Sequence, residues 1–396
     1  VRRARRFVAL ALVVAGASGA APTTQKPKPP PGSIPVLGGP TAAVALDGGR
    51  TLLVGFEGRF GRGGGMTLYR RGAAGYAAAG TVRTMSPVEG VAVSPDGKTA
   101  VATTRFGLAA VAVDAVTTAH PKVTEVRVGA APDANQIVFG RDGTVAYFTI
   151  QRYAQLGVVA VSPATAGAAP GLTVTARLGL DRSPGGIALS PDGTTLYVTS
   201  EADTVDPAAV ALANDPRLGR AKCAANQAPH GVLSVVDAAK AARGADDAVV
   251  ARVAAGCAPT RVALSPDGAT AWVSVRGEDR VVAFDTAKLR DDGAHAFVAE
   301  AAVEAVPVGL AVSVDGGTLL VANSHRSRDA DDMRAADLTV IDPRAALAGK
   351  PAVREALPTG ALAREVIAAP DGGFFVTDYL ARAVDVVRPQ ALHIHG

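Results

Sequence analysis

Ser190-Pro191-Asp192-Gly193-Thr194-Thr195-Leu196-Tyr197-Val198-Thr199 is a tight turn running into a strand, and the chain uses that turn seven times. Proline presets φ at the second turn position and glycine tolerates positive φ at the exit, so the turn joins two antiparallel strands. The other copies are Ala45-Leu46-Asp47-Gly48, Ser94-Pro95-Asp96-Gly97, Gly140-Arg141-Asp142-Gly143, Ser265-Pro266-Asp267-Gly268, Ser313-Val314-Asp315-Gly316 and Ala369-Pro370-Asp371-Gly372. Successive Asp residues are 49, 46, 50, 75, 48 and 56 positions apart. A period of about 40–50 residues with turn chemistry at a fixed place marks a propeller blade. The prediction is an all-β chain: a seven-bladed β-propeller of four-stranded antiparallel blades.

Each blade can be read strand by strand. Gly90-Val91-Ala92-Val93 and Gly186-Ile187-Ala188-Leu189 precede the turn; Thr195-Leu196-Tyr197-Val198 and Ala271-Trp272-Val273-Ser274 follow it. A third strand recurs as Val111-Ala112-Val113-Asp114, Leu233-Ser234-Val235-Val236-Asp237, Val281-Val282-Ala283-Phe284-Asp285 and Leu338-Thr339-Val340-Ile341-Asp342. Its terminal Asp precedes helix formers, as in Asp285-Thr286-Ala287-Lys288-Leu289, where the carboxylate can cap one helical turn. Fourth strands are read at Lys122 to Val128 and Leu172 to Leu178. Four strands per unit with no helical period fit a propeller rather than a sandwich or solenoid. After Asp385-Val386-Val387-Arg388 little chain is left, whereas Ser33-Ile34-Pro35-Val36-Leu37 stands before the first repeat, where a fourth strand would stand. That segment is expected to complete blade seven, with Ala391-Leu392-His393-Ile394 as the alternative.

The N-terminus reads as an export signal. Arg2, Arg3, Arg5 and Arg6 precede the apolar run Phe7 to Gly16, and Ser18-Gly19-Ala20 offers a signal-peptidase site. The apolar run is well short of the roughly 20 residues that span a membrane. Residues 1–20 are therefore expected to be a signal peptide, 21–32 a Pro-rich linker and 33–396 the propeller. Location is expected to be periplasmic or secreted, with no transmembrane segment after processing and a monomeric state. Losing four Arg and no acid takes the formal charge of +4 to zero, which removes the main electrostatic support for nucleic-acid binding.

Loop lengths break the regularity. From turn Asp to third-strand Asp, blades two and five take 18 residues each (96 to 114, 267 to 285), blade four 45 (192 to 237) and blade six 27 (315 to 342). The loop between strands two and three shares a face with the loop linking successive blades; the Asp-Gly turns occupy the other face. All the elaboration thus falls on one face, where loops carry function. Cys223 lies in the blade-four insert and Cys257 in the adjoining link to blade five. Two cysteines placed this way in an exported chain predict a disulfide that pins the insert over the mouth. The absence of Cys-x-x-Cys-His excludes covalent c-type haem, and no cofactor is expected.

Together with the turn motif above, Gly256-Cys257-Ala258-Pro259-Thr260-Arg261-Val262-Ala263-Leu264-Ser265-Pro266-Asp267-Gly268 resembles the YVTN-type, YncE-like and lactonase-like seven-bladed propellers of bacteria. The resemblance runs over nearly the whole chain after residue 32 and implies fold more than function. Such propellers include lactone hydrolases, a nucleic-acid-binding periplasmic protein, surface-layer proteins and cofactor-bearing dehydrogenase subunits. It leaves two readings: an exported binding or scaffold protein recognising a small anionic ligand or a protein partner, or a lactonase-like hydrolase acting on a sugar lactone.

Ligands of propellers sit at the central mouth, between the loops before strand one and after strand two. Before strand one these supply Glu89, Asn135, Arg261, Arg364 and Glu365; after strand two come Arg105, Arg152, Tyr153, Arg276, His325, Arg326, Asp378 and Tyr379. The arginines suit an anionic or carboxylate-bearing ligand held by forked hydrogen bonds. Surface loops also carry arginines that merely pair with nearby Asp at little energetic gain. His325 is the one weak candidate for acid–base catalysis. His393 and His395 lack a third ligand at metal spacing, so no metal site is expected. Gly58 to Gly65 leads into a strand, Met66-Thr67-Leu68-Tyr69, and not the helix a dinucleotide loop needs. Asp329-Ala330-Asp331-Asp332-Met333 lacks the glycine and glutamate of an EF-hand loop.

Overall fold

The computed structural model describes residues 28–58, 61–165, 168–202, 223, 230–325 and 336–388. Seven four-stranded antiparallel sheets form a ring, a seven-bladed β-propeller. In chain order the blades are 39–84, 88–127, 134–179, 184–257, 259–302, 307–358 and 363–387. The last has three strands of its own and receives Ile34–Pro35 as its fourth, paired with Val384 and Ala383. The N-terminal segment thus closes the ring; residues 391–394 lie outside the described residues. Among the described residues no helix is long and apolar enough to cross a membrane.

The repeated turn owes its composition to local hydrogen bonds. In blade two the Ser94 hydroxyl donates to Asp96 Oδ1 (2.6 Å) and accepts from Thr99 N (2.9 Å), while Gly97 N bonds back to Ser94 O with φ at +74°. Ser190, Ser265 and Ser313 repeat this arrangement with Asp192, Asp267 and Asp315. Hydroxyl and backbone donors hold these four carboxyls below the usual range. The serines and aspartates that announce the fold are therefore occupied by the turn itself.

Third-strand aspartates cap short helices as the spacing predicts. Asp237, Asp285 and Asp342 accept from Lys240 N, Ala287 N and Ala345 N at the starts of helices Ala238–Ala242, Thr286–Asp291 and Pro343–Leu347. Blade two differs: its third strand ends at Ala112, and Asp114 opens a 3-10 turn, Asp114–Thr117, without a side-chain cap.

The core lies between neighbouring blades. Trp272, fully buried on blade five, packs with Leu310 and Val312 of blade six. Second strands are buried on both faces, and outermost strands such as Val353–Pro358 are mostly exposed. That gradient explains why inner strands read as unbroken apolar runs while fourth strands such as Val353–Pro358 mix polar and apolar residues.

A buried hydroxyl links each of four blades to the next. Thr149, Thr199 and Ser274, each next to last in its second strand, donate to the strand-one carbonyls of Gly185, Thr260 and Val308 (3.0, 3.0 and 2.7 Å). Thr103 makes the same bond to Asn135 O. Those carbonyls are free because strands one and two slip register at the mouth end in all seven blades. Such bulges re-aim side chains, and here they build the mouth.

Candidate functional site

The second strand places one residue per blade at the rim of the central channel: Glu57, Arg105, Gln151, Glu201, Arg276, Ser324 and Tyr379 in blades one to seven. The bulge of strand one adds Glu89, Asn135, Thr260, Val308 and Arg364. Together they enclose a funnel of about 410 Å³ to which every blade contributes. A larger groove, about 850 Å³, lies on the turn face between blades one and two, but its Asp47 and Asp96 are bonded within their own turns.

A buried network underlies the funnel. Arg261, 7% exposed, bonds Glu365 through Nε (3.4 Å), Asn135 Oδ1 through Nη2 (3.2 Å) and Thr260 O through Nη1 (3.2 Å). Gln136 Nε2 donates to both Glu365 oxygens at 3.1 Å, and Gln136 Oε1 accepts from Ile187 N. Three long side chains from blades three, five and seven thus meet across the channel. Gly186 holds the equivalent position in blade four, where a Cβ would lie 2.7 Å from Arg261 Cα. Replacing Glu365 by Gln would leave the Arg261 charge buried without its counter-ion, an expected loss of about 3 kcal/mol. Urea unfolding reads this; an unchanged midpoint would mean that Asn135 and the backbone hold Arg261 unaided.

The rim alternates charge. Arg276 Nη2 pairs with Glu201 (2.8 Å), Arg364 Nη2 with Glu89 (3.7 Å), and Tyr379 donates to Glu57 (2.6 Å) beneath the Arg364 guanidinium, which lies 5.4 Å from its ring centre. Burial pushes the Glu89 carboxyl up against the opposing pull of Arg364, and burial with the Glu57 bond takes Tyr379 to about 12. Arg105 has no side-chain hydrogen bond or ion pair among the described residues. Of the four arginines of the funnel, it alone makes no such bond among the described residues, although its charge, like those of Arg364 and Arg261, draws the Glu89 carboxyl down.

The residues predicted from sequence divide accordingly. Glu89, Arg105, Asn135, Arg261, Arg276, Arg364 and Tyr379 line the funnel, and Glu365 lies in the network beneath it. Arg152 and Tyr153 follow the rim residue Gln151 and fall outside the lining, Arg152 paired with Asp133 at the surface (3.1 Å). Asp378 precedes the rim residue Tyr379 and, with the alternation of a strand, is fully buried on the other side. His325 follows the rim residue Ser324 and bonds Asp337 (2.8 Å). Arg326, His393 and His395 lie outside the described residues. Sequence reasoning missed Glu57, Gln136, Gln151 and Glu201, although counting nine residues on from the turn Asp reaches the rim in blades two to six, at Arg105, Gln151, Glu201, Arg276 and Ser324.

The insert of blade four is tied down on the funnel side. Cys223 and Cys257 form a disulfide with Cα atoms 5.8 Å apart, and Glu201, at the root of the insert, makes the ion pair with Arg276.

No family model matches this sequence, and neither does any curated protein. Solved structures do. Hydrazine synthase of Kuenenia stuttgartiensis is similar over 89% of this chain and 96% of its own (18% identity, TM-score 0.61). A functionally unknown protein from Desulfotomaculum acetoxidans is similar over 90% of both chains (12% identity, TM-score 0.57). The Cps50 (Swd1) β-propeller domain of Myceliophteria thermophila is similar over 88% of this chain and 96% of that one (11% identity, TM-score 0.59). At these identities the likeness is one of fold alone.

Proposed function

We propose that this chain is an exported binding propeller of the YVTN type whose funnel takes a small carboxylate-bearing ligand, with Arg105 as its anchor. The carrying observation is that the Arg105 guanidinium makes no hydrogen bond or ion pair among the described residues, in a funnel whose other three arginines are each paired with a carboxylate. An anion entering there gains a charge-assisted, forked bond without breaking an existing pair. Glu57, Glu89 and Glu201 favour a ligand that also presents hydroxyl or amino donors. The disulfide and the leader-like residues 1–20 support export, because such bonds persist in oxidising compartments. Recognition of a protein partner by the same face is the broader form of this reading.

One observation favours a lactonase-like hydrolase instead: the raised Glu89 carboxyl beside Arg364 could act as a general acid. Against it, no histidine lines the funnel among the described residues, and His325 is engaged by Asp337.

A thermal-shift panel of mono- and dicarboxylates and sugar lactones separates the two readings. A carboxylate is expected to raise Tm, and Arg105→Gln should weaken its binding by about 2–3 kcal/mol, roughly 30- to 150-fold in Kd. Stabilisation by uncharged compounds only, untouched by Arg105→Gln, would overturn the proposal. Lactone turnover lost in Glu89→Gln would replace it with the hydrolase.

A further inference from the structure

We infer that blade six carries a binding site for one divalent transition-metal ion, formed by Glu304, His325 and Asp337 at the edge of the funnel. One ligand atom from each, an imidazole nitrogen and two carboxylate oxygens, lies within 4.8 Å of the others. His325 Nε2 and Asp337 Oδ2 are 2.8 Å apart. Donors at right angles around an ion with bonds of about 2.0–2.1 Å are themselves about 2.9 Å apart, so an ion can be received with little movement of this pair.

Three features show that the cluster is held in place. Asn323 is fully buried at the end of strand two, where blades two, four and seven also place polar residues (Thr104, Ser200, Asp378) and blades one, three and five place Phe56, Ile150 and Val275. Its amide donates to Asp337 Oδ1 (2.7 Å) and Thr339 Oγ1 (2.8 Å), which fixes the Asp337 carboxylate and leaves Oδ2 for His325. A buried amide that orients a ligand carboxylate in this way is how metal sites are supported from behind. The two other ligands are tied together by backbone: Ser324 N bonds Val306 O (3.0 Å) and His325 N bonds Ala305 O (3.2 Å), one residue from Glu304. The link itself is anchored by Val306 N on Asp279 Oδ1 (2.9 Å). The Glu304 carboxylate is exposed and has no other hydrogen bond or ion pair among the described residues.

The donor set selects the ion. One imidazole with two carboxylates suits zinc, cobalt, manganese or iron(II) better than calcium or magnesium, which take oxygen alone. Three protein ligands leave coordination positions open. Ser324 and Val306, the immediate neighbours of His325 and Ala305, line the funnel. An ion here would sit one residue behind the funnel wall, and its charge would add to that of the arginines.

Metal-stripped protein with the disulfide intact, titrated with Zn²⁺ by calorimetry and with Co²⁺ by visible absorption, tests the site. One equivalent should bind at micromolar or lower Kd, with a Co²⁺ spectrum of nitrogen–oxygen ligation. His325→Ala should weaken binding by about 100-fold and Glu304→Gln by about 10-fold. Glu304 is exposed, so its variant cannot fail merely by misfolding. A His393→Ala/His395→Ala variant should bind as the parent does. Absence of binding, binding unchanged in both site variants, or binding lost with the tail histidines would each overturn the inference.

Discussion

Replacing Asp378 by Asn should stabilise the protein at pH 8 by up to about 4 kcal/mol and at pH 5 by only about 1.5 kcal/mol. Asp378 and Asp385 are buried side by side in blade seven. Both lie within hydrogen-bond reach of the one hydroxyl of Thr359 (3.2 and 2.5 Å), whose single proton can serve only one of them, and Ser33 donates to Asp385. Asp378 Oδ1 is buried without a hydrogen-bond partner. Burial, and then the charge of Asp385, push Asp378 up to about 7; burial raises Asp385 as well. An unfolded Asp titrates near 3.9, so between that value and about 7 the folded chain binds more protons than the unfolded one. Stability from this pair is therefore fully present below the unfolded value and is lost as pH rises through about 7. The turn aspartates, with lowered values, act oppositely and below pH 4, so the two effects occupy separate windows. Urea midpoints of parent and variant at pH 5 and pH 8 measure the difference. An Asn variant less stable than the parent at pH 8 would show that Asp378 is needed as an anion.

Removing the disulfide by Cys223→Ala/Cys257→Ala should cost about 3–4 kcal/mol, the chain-entropy value for a closed loop of this length. The bridge spans 34 positions and joins the insert to the last residue of blade four's outer strand. Cys257 is held from two sides, its N–H donating to Glu278 (2.6 Å) and its carbonyl accepting from Gly277 N. That end should stay in place when the bond is lost. Residues 203–229 have few large apolar side chains with which to pack once the bridge is gone. Limited proteolysis of the double variant should cut there first, with the far-UV spectrum of the blades unchanged. Simultaneous loss of blade structure would mean that the bridge supports the ring itself.

How much was legible follows from where each signal resides. Turn, cap and disulfide chemistry are local in sequence, and Ser190-Pro191-Asp192-Gly193, Asp285 and the Cys223–Cys257 spacing could be read directly. The closing strand Ile34–Pro35 was legible because its place in the repeat was vacant at one end and filled at the other. The funnel was readable only in part. Arg105 and Tyr379 occupy the rim position, whereas Arg152 and Asp378 are one residue away and face elsewhere, because side chains in a strand alternate. Glu57 and Glu201 carry no signal of their own in sequence; only the register shared by all seven blades places them at the rim. The Gln136–Glu365–Arg261 network could not be foreseen, since its members come from three blades and owe their aim to bulges that leave no residue signature. Asp337 and Glu304 reach His325 across 12 and 21 positions of sequence, through the pairing of strands two and three and the backbone bonds of the interblade link.

The central claim is that a carboxylate ligand enters the funnel and meets Arg105. NMR of the arginine Nε–Hε groups, with assignment through Arg105→Gln, tests it most directly. Titration with the best carboxylate of the panel should shift the Arg105 signal with the same saturation as the Tm change, move Arg364 and Arg276 less, and leave the surface-paired Arg152 unmoved. A ligand that saturates the protein while the Arg105 signal stays in place would contradict the account.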